Sequence, residues 1–279
     1  MLGRARTIGV GRWLPPLVIV VALLGAWELA ARLDVIANAL HLEPFLVPAP
    51  SDIAQALWQD RGLLADNAWV TLQEVLAGFA LSVVAGVAFA IVLHLSPTVR
   101  RAVYPLLVAS QTVPIVVLAP ILVVWLGFGI GPKLVIIALI CFFPITVNTL
   151  DGLGSVDPDL VKMMRTLDAS RWQTFRRIEG PTALPYFFSG AKIAVAVAVI
   201  GAVFGEWAGS SSGLGYLMQT DNASLNTPRL WASVVVLSLI AIGLFAAIVV
   251  LSVMAICLFG LLSLAERHWI SWSRAEKTT

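Results

Sequence analysis

Long apolar stretches alternate with short polar connections along this chain, and six stretches stand out, at 14–33, 68–95, 103–126, 134–150, 184–204 and 230–264. A helix of about 20 apolar residues crosses the hydrocarbon core of a bilayer, so each stretch predicts a transmembrane helix. The sixth is too long for one straight crossing and is expected to tilt or to run on past the membrane. A glycine-rich turn, Gly127-Phe-Gly-Ile-Gly131, separates the third from the fourth. Pro105, Pro114 and Pro120 in the third and Pro144 in the fourth predict bends, because proline frees a backbone carbonyl that protein or water must satisfy. Gly78, Ser82, Gly86 and Ala90 recur every four residues, as do Gly201, Gly205 and Gly209. Such small-residue faces allow close helix contact, within one subunit or between two copies.

Two connections are long enough to carry structure of their own. In 34–67, Pro44, Pro48 and Pro50 precede Ser51, which is expected to cap a short helix with Ile53, Ala54, Leu57 and Trp58 on one face. In 152–183, Asp157 is expected to cap a helix with Pro158 at its first position. Leu160, Met163, Met164 and Leu167 then fall on one helical stripe beside a basic face. Asp168-Ala-Ser170 interrupts the pattern, and a second short helix is expected over 171–178. Two short helices and a turn make a compact protrusion. An amphipathic hairpin lying on anionic lipid also fits these residues.

Composition narrows the reading further. The chain is 59% hydrophobic and 12% charged, against about 45–50% and about 25% in soluble domains, so the surplus apolar surface has to face lipid. A net charge of +2 suggests no nucleic-acid partner. The placement of the charges matters more. Arg4, Arg6, Arg12, Arg100, Arg101, Lys162, Arg165, Arg171, Arg176, Arg177, Arg267, Arg274 and Lys277, thirteen of 18 basic residues, fall on one side of six crossings. The remaining connections hold Arg61, Lys133 and Arg229, with Arg32 at a span end. By the positive-inside rule both termini are expected in the cytoplasm. The first stretch has the look of a signal peptide, but Trp27 and Glu28 stand where small residues would prepare cleavage, so an uncleaved anchor is expected. The expected organisation is an anchor with an external segment at 1–67, a five-span core at 68–264 containing the 152–183 loop, and a cytoplasmic tail at 265–279.

Polar groups at membrane depth are costly and mark candidate sites. Ser110 and Gln111 in the third stretch and Asn148 in the fourth are candidates for lining a pathway, with helix-to-helix hydrogen bonding as the alternative. Glu206, at the outer end of the fifth, is a gate or docking candidate unless it simply meets the interface. Lys192 is expected to snorkel, and Glu28 and Glu74 to lie near the external interface. Cys141 and Cys257 read as small buried hydrophobes, without the neighbours a metal needs. Gly209-Ser-Ser-Ser-Gly213 matches the nucleophile elbow of hydrolases, but no histidine falls near it and an external loop is expected. No Gly-x-x-x-x-Gly-Lys-Ser/Thr sequence occurs, so neither ATP hydrolysis nor a cofactor is expected in this chain.

The 152–183 loop resembles the cytoplasmic loop of ABC importer permeases, whose pattern is Glu-Ala-Ala, three residues, Gly, nine residues, then Ile-x-Leu-Pro. In register, Lys162-Met163-Met164 stands for Glu-Ala-Ala, Asp168 for the glycine and Gly180 for the leucine, while Ile178 and Pro181 keep their places. Glycine at such a turn supplies a positive φ, which Asp tolerates better than most residues, so the turn is expected to survive. Gln111-Thr-Val-Pro114, Leu118-Ala-Pro120 and Trp125-Leu-Gly-Phe-Gly129 resemble permeases for taurine, alkylsulfonate and nitrate. Cys141-Phe-Phe-Pro144 through Asn148-Thr-Leu-Asp-Gly152, and Gly205-Glu-Trp-Ala-Gly209 through Gly213-Leu-Gly-Tyr216, look closer to a subgroup importing thiamine-precursor pyrimidines or riboflavin.

That resemblance implies an all-α membrane protein of the bacterial inner membrane, with six transmembrane helices in the type I ABC importer permease fold. It implies a coupling helix in which Met163, Met164, Arg165, Leu167, Asp168, Ala169, Ser170 and Arg171 meet an ATPase subunit. The implied partners are a second permease copy, two ATPase subunits carrying ATP and Mg, and an external solute-binding protein. The implied solute is a thiamine-precursor pyrimidine or riboflavin, with taurine, alkylsulfonate or nitrate as the alternative. A secondary transporter is the reading from another class; it calls for inverted repeats and membrane-buried coupling carboxylates, which the sequence does not display. An intramembrane enzyme would need a buried acid–base set, also not displayed.

Overall fold

The computed structural model describes residues 14–269. Arg4, Arg6, Arg12, Arg274 and Lys277, on which part of the charge asymmetry rests, lie outside the described residues. Every regular element among those described is helical. α1 (Leu14–Arg32), α2 (Val35–Leu40) and, after a 3-10 turn at Pro44–Leu46, α3 (Pro50–Gln59) precede the long α4 (Arg61–Leu95). α5 (Pro97–Ser110) and α6 (Ile115–Leu126) lead to α7 (Ile130–Gly154). α8 (Pro158–Thr166), α9 (Arg171–Thr174) and a π turn at Phe175–Glu179 run into α10 (Gly180–Gly209). α11 (Leu214–Ala223) and α12 (Thr227–Trp269) follow.

Five segments are each long and apolar enough to cross a membrane: α1, α4, α7, the continuous stretch Arg171–Gly209, and α12. The sixth crossing is broken. α5 and α6 pass the same test only as a pair, bent by 100°, so the single helix expected over 103–126 is corrected. The break has a local cause, since Pro114 stands as N-cap of α6 in an extended conformation and a proline drives its predecessor out of the helical region. The short helix expected over 171–178 is also corrected. From Arg171 the chain stays helical to Gly209, through a π turn in which the Gly180 N–H bonds the Phe175 carbonyl. α12 has 43 residues in one helix, which at 1.5 Å per residue is about 64 Å. That length exceeds a hydrocarbon core of about 30 Å, so the helix runs past it.

The helices divide into two compact units. One comprises the described residues up to Asn67 with Leu217–Val236; the other comprises Ala68–Tyr216 with the described residues from Leu237 onward. In the first, Ser51 lies inside α3 and Ala49 holds the N-cap position. The buried positions of α3 are Ile53 and Ala56, while Ala54 and Trp58 are exposed, so the expected apolar face is rotated. Asp52 of α3 accepts from the Ala49 N–H at 3.2 Å, and the rest of the cap comes from α1. Glu28 Oε2 accepts from the Ser51 N–H at 3.0 Å, Oε1 accepts from the Ser51 hydroxyl at 2.7 Å, and Arg32 donates to Glu28 at 3.1 Å.

In the second unit α7 packs against both α4 and α10, and glycine sets the spacing. A Cβ on Gly78 would lie 2.6 Å from the Ile137 Cβ, and one on Gly190 would lie 2.5 Å from the Pro144 carbonyl oxygen. Gly86 faces Ile145 and Gly201 faces Ile137 in the same manner. The small-residue faces thus serve contacts within the subunit. Nearer the far end of α4, Ala90, Leu93, Leu107 and Leu150 form a core flanked by Phe89, Tyr104, Phe142 and Phe143. Cys141 is buried and donates to the Ala194 carbonyl, whereas Cys257 is exposed on α12 between the exposed Ile256 and Leu258. The expectation that both cysteines are buried therefore holds for one.

Candidate functional site

The loop between α7 and α10 folds as a capped hairpin. The Asp157 carboxylate accepts from the Asp159 N–H at 2.9 Å, with Pro158 at the first position of α8. Of the apolar stripe, Met164 is buried and Leu160, Met163 and Leu167 are exposed. α8 then closes in a Schellman turn: the Asp168 N–H bonds the Arg165 carbonyl at 3.1 Å and the Ala169 N–H bonds the Met164 carbonyl at 3.0 Å. Asp168 sits at φ 52°, the conformation that glycine ordinarily supplies. Ser170 and Gln173 form a capping box, with the Gln173 N–H on the Ser170 hydroxyl at 3.2 Å and the Ser170 N–H on the Gln173 side-chain Oε1 at 2.7 Å. Arg171 opens α9, and Trp172 stacks on Phe175 at 5.4 Å. Leu167 and Trp172 are 69% and 64% exposed, large apolar side chains among the exposed Arg165, Arg171, Arg176 and Arg177. On the return, the buried Glu179 carboxylate meets His94 Nε2 at 2.9 Å, tying the π turn to the end of α4.

A second polar constellation lies at the opposite ends of the same helices, and α11 starts on it. Gly213, just before α11, carries no side chain to cap it. The carboxylate of Glu206 on α10 takes that place: Oε2 accepts from the Gly215 and Tyr216 N–H groups, the latter at 3.2 Å. The Thr71 hydroxyl of α4 donates to Glu206 Oε1 at 2.7 Å and accepts from the Leu214 N–H at 2.9 Å. Three successive amides of a helix start are thus satisfied by buried side chains of other helices. Beside them Lys133 of α7 is ion-paired with Glu74 of α4 and donates to the Ser210 hydroxyl at 2.8 Å. Glu74, Lys133 and Glu206 are all buried. Phe128, Ile130, Lys133 and the 209–212 loop line a cleft of about 630 Å³ alongside.

These positions revise several expectations. Lys133 belongs to a helix, not to a connection, and Glu74 is buried inside the protein. Glu206 has no exposed surface; its oxygens hold a helix start. Buried carboxylates do exist here, but each already has a structural partner. Ser110 and Gln111 meet in the exposed break between α5 and α6, the Gln111 amide donating to the Ser110 hydroxyl at 3.4 Å. Asn148 is half-buried on α7, where its side-chain amide donates to the Pro144 carbonyl at 2.8 Å. No hydrogen bond joins Asn148 or Glu206 to the Ser110–Gln111 pair. Sequence reasoning missed Thr71, Glu74, Lys133 and Ser210 as one cluster. The available signal was opposite charges near the same-side ends of three apolar stretches.

Residues 82–270 match the family described as the binding-protein-dependent transport system inner membrane component. The chain belongs to that family. It is 39% identical over 230 residues to the formylaminopyrimidine transport permease protein ThiX of Halalkalibacterium halodurans, covering 82% of this chain and 89% of that protein. It is 34% identical to the riboflavin transport system permease protein RibX of Chloroflexus aurantiacus, covering 72% and 75%. To the taurine transport system permease protein TauC of Escherichia coli it is 27% identical, covering 86% and 85%. In fold it is similar to a chain of the MetNI methionine ABC transporter in inward-facing conformations, with TM-score 0.61 and 19% identity over 70% of this chain and 97% of that one. The protein is therefore an all-α, multi-pass inner-membrane permease subunit of an ABC importer.

Proposed function

We propose that this permease passes a small heterocycle of the thiamine-precursor pyrimidine or riboflavin type. An external solute-binding protein delivers it, and ATP hydrolysis on a separate ATPase subunit drives its entry. The observation that carries this reading is the ordering of similarity, 39% and 34% to permeases named for a formylaminopyrimidine and for riboflavin against 27% to one named for taurine. Import of taurine, alkylsulfonate or nitrate is the second reading, favoured by the Gln111–Pro114 and Trp125–Gly129 segments.

In this reading the hairpin docks on the ATPase. Leu167, Met163 and Trp172 are exposed apolar side chains suited to a partner's groove, and Asp168, Ala169 and Ser170 present the turn. Arg165 and Arg171 flank the contact, while Met164 supports it from inside. Two permease copies stand over two ATPase subunits that hold ATP and Mg, with both termini in the cytoplasm. ATP binding closes the ATPases, and the hairpins carry that motion into the spans. Ser110, Gln111 and Asn148 line the path, and Glu206 holds its wall from behind.

Vesicles containing the permease, its ATPase and its binding protein should accumulate a formylaminopyrimidine or riboflavin and leave taurine outside; uptake of taurine alone would overturn the substrate assignment. Ala169→Arg puts a bulky charge in the docking turn and should cut solute-stimulated ATP hydrolysis by about tenfold or more while insertion stays normal. Unaltered hydrolysis in both Ala169→Arg and Leu167→Asp removes the docking assignment.

A further inference from the structure

α5 begins with a basic concavity. Pro97, Arg100, Arg101, Tyr104 and Pro105 line a cleft of about 430 Å³ over its first turns. Arg100 and Arg101 are exposed, and no carboxylate pairs with either among the described residues. Three other basic side chains at the ends of spans are matched, Arg32 by Glu28, Lys133 by Glu74 and Arg229 by Asp221. Arg61 and Arg171 are also without a carboxylate, but among the described residues neither lines a shared cleft with a second arginine. Two guanidinium groups sharing a concavity without a counter-ion form a recognition surface for phosphate, whose oxygens accept the forked donors of arginine.

The rest of the cleft says where that phosphate comes from. Tyr104 is half-buried, its ring packed against the core of Ala90, Leu93, Leu107 and Leu150, and it forms part of the cleft wall. Farther along α5, Leu106 and Val108 are exposed and apolar. The surface therefore passes from paired cations, through an amphipathic tyrosine, to hydrocarbon-compatible side chains within a few residues. A lipid has the same order, from phosphate through the ester region to acyl chain. The simpler account, that Arg100 and Arg101 only bias topology, needs neither the concavity nor the tyrosine.

We propose that this cleft binds the phosphate of an anionic phospholipid, with Arg100 and Arg101 on its oxygens and the acyl chains along the exposed side of α5. The site requires only that the chain lies in a bilayer, so it stands or falls separately from the solute and ATPase assignments. The test is native mass spectrometry of the full chain released from nanodiscs containing phosphatidylglycerol and phosphatidylethanolamine. Phosphatidylglycerol should be retained in preference, and Arg100→Gln with Arg101→Gln should lower that retention by about thirtyfold, from two cations acting on one headgroup. Arg176→Gln with Arg177→Gln, an exposed pair on the π turn, should leave retention unchanged. Tyr104→Phe should weaken it by a few-fold without loss of helicity. Equal retention of phosphatidylglycerol in the Arg100/Arg101 variant overturns the site. An equal loss in the Arg176/Arg177 variant overturns it too, since general basicity would then explain the binding. Displacement of the lipid by millimolar inorganic phosphate would show that the cleft takes the free ion and would overturn the lipid assignment.

Discussion

Two short helices of this protein follow a residue with no capping side chain, and each takes a glutamate from a longer helix. α3 follows Ala49 and is capped by Glu28 of α1; α11 follows Gly213 and is capped by Glu206 of α10. The chemistry is shared, because carboxylate oxygens meet orphan amides at the positive end of a helix. The surroundings differ. The Glu28 side chain is 31% exposed beside Arg32, whereas Glu206 is wholly buried. Water competes for every bond Glu28 makes, so losing one of them returns its partners to solvent. Glu206 is shut off from solvent, and a lost carboxylate takes the acceptor away from two amides, those of Gly215 and Tyr216, and from the Thr71 hydroxyl. The same device is therefore a local convenience in one region and a determinant of the fold in the other.

The comparison breaks first at Glu206. Glu206→Ala should cost about 3 kcal/mol or more of stability, because each buried donor that loses its acceptor costs about 1–3 kcal/mol. Chemical unfolding of the purified protein measures it, and a loss no larger than that of a surface change would refute the contrast. Next comes Lys133→Met, which leaves Glu74 buried without its cation and should cost about 3 kcal/mol. Adding Glu74→Gln should recover part of that loss, and strictly additive costs would mean that the two do not act as a pair. The smallest effect is expected at the exposed site. Glu28→Gln should leave the unfolding midpoint within error in moderate salt; a drop matching that of Glu206→Ala would show that burial is not what separates the two caps.

Much of the fold was legible because its signals are local. Twenty-residue apolar runs foretold α1, α4, α7, α10 and α12, and Asp157, Pro158 and the Asp168 turn foretold the hairpin. The break between α5 and α6 was not, because averaging hydropathy across Gln111–Pro114 hides a polar turn between two apolar halves. Pro114 signalled a bend but not one of 100°. The buried cluster escaped for a different reason. Thr71 and Glu206 are 135 residues apart and Glu74 and Lys133 are 59 apart, so nothing near either member announces the other. A lone charge near the end of an apolar run reads as interfacial until its partner is known.

The packing of α7 has a mechanical consequence. Where Gly78, Gly190 and Gly201 press against it there is no spare volume, so α7 cannot slide or roll along α4 or α10 without steric conflict. α7 leads into the hairpin and α10 leads out of it, which makes the hairpin a handle on two rods welded along their length. The far ends of the same two rods carry Lys133 on α7 and Glu206 on α10. Bending is left to the joints outside the weld, the Gln111–Pro114 elbow and the serine loop from Gly209 to Gly213. If the hairpin couples to a partner as proposed, a stiffening substitution at Ser211 or Ser212 should slow transport while leaving both the docking turn and the proposed path residues unchanged.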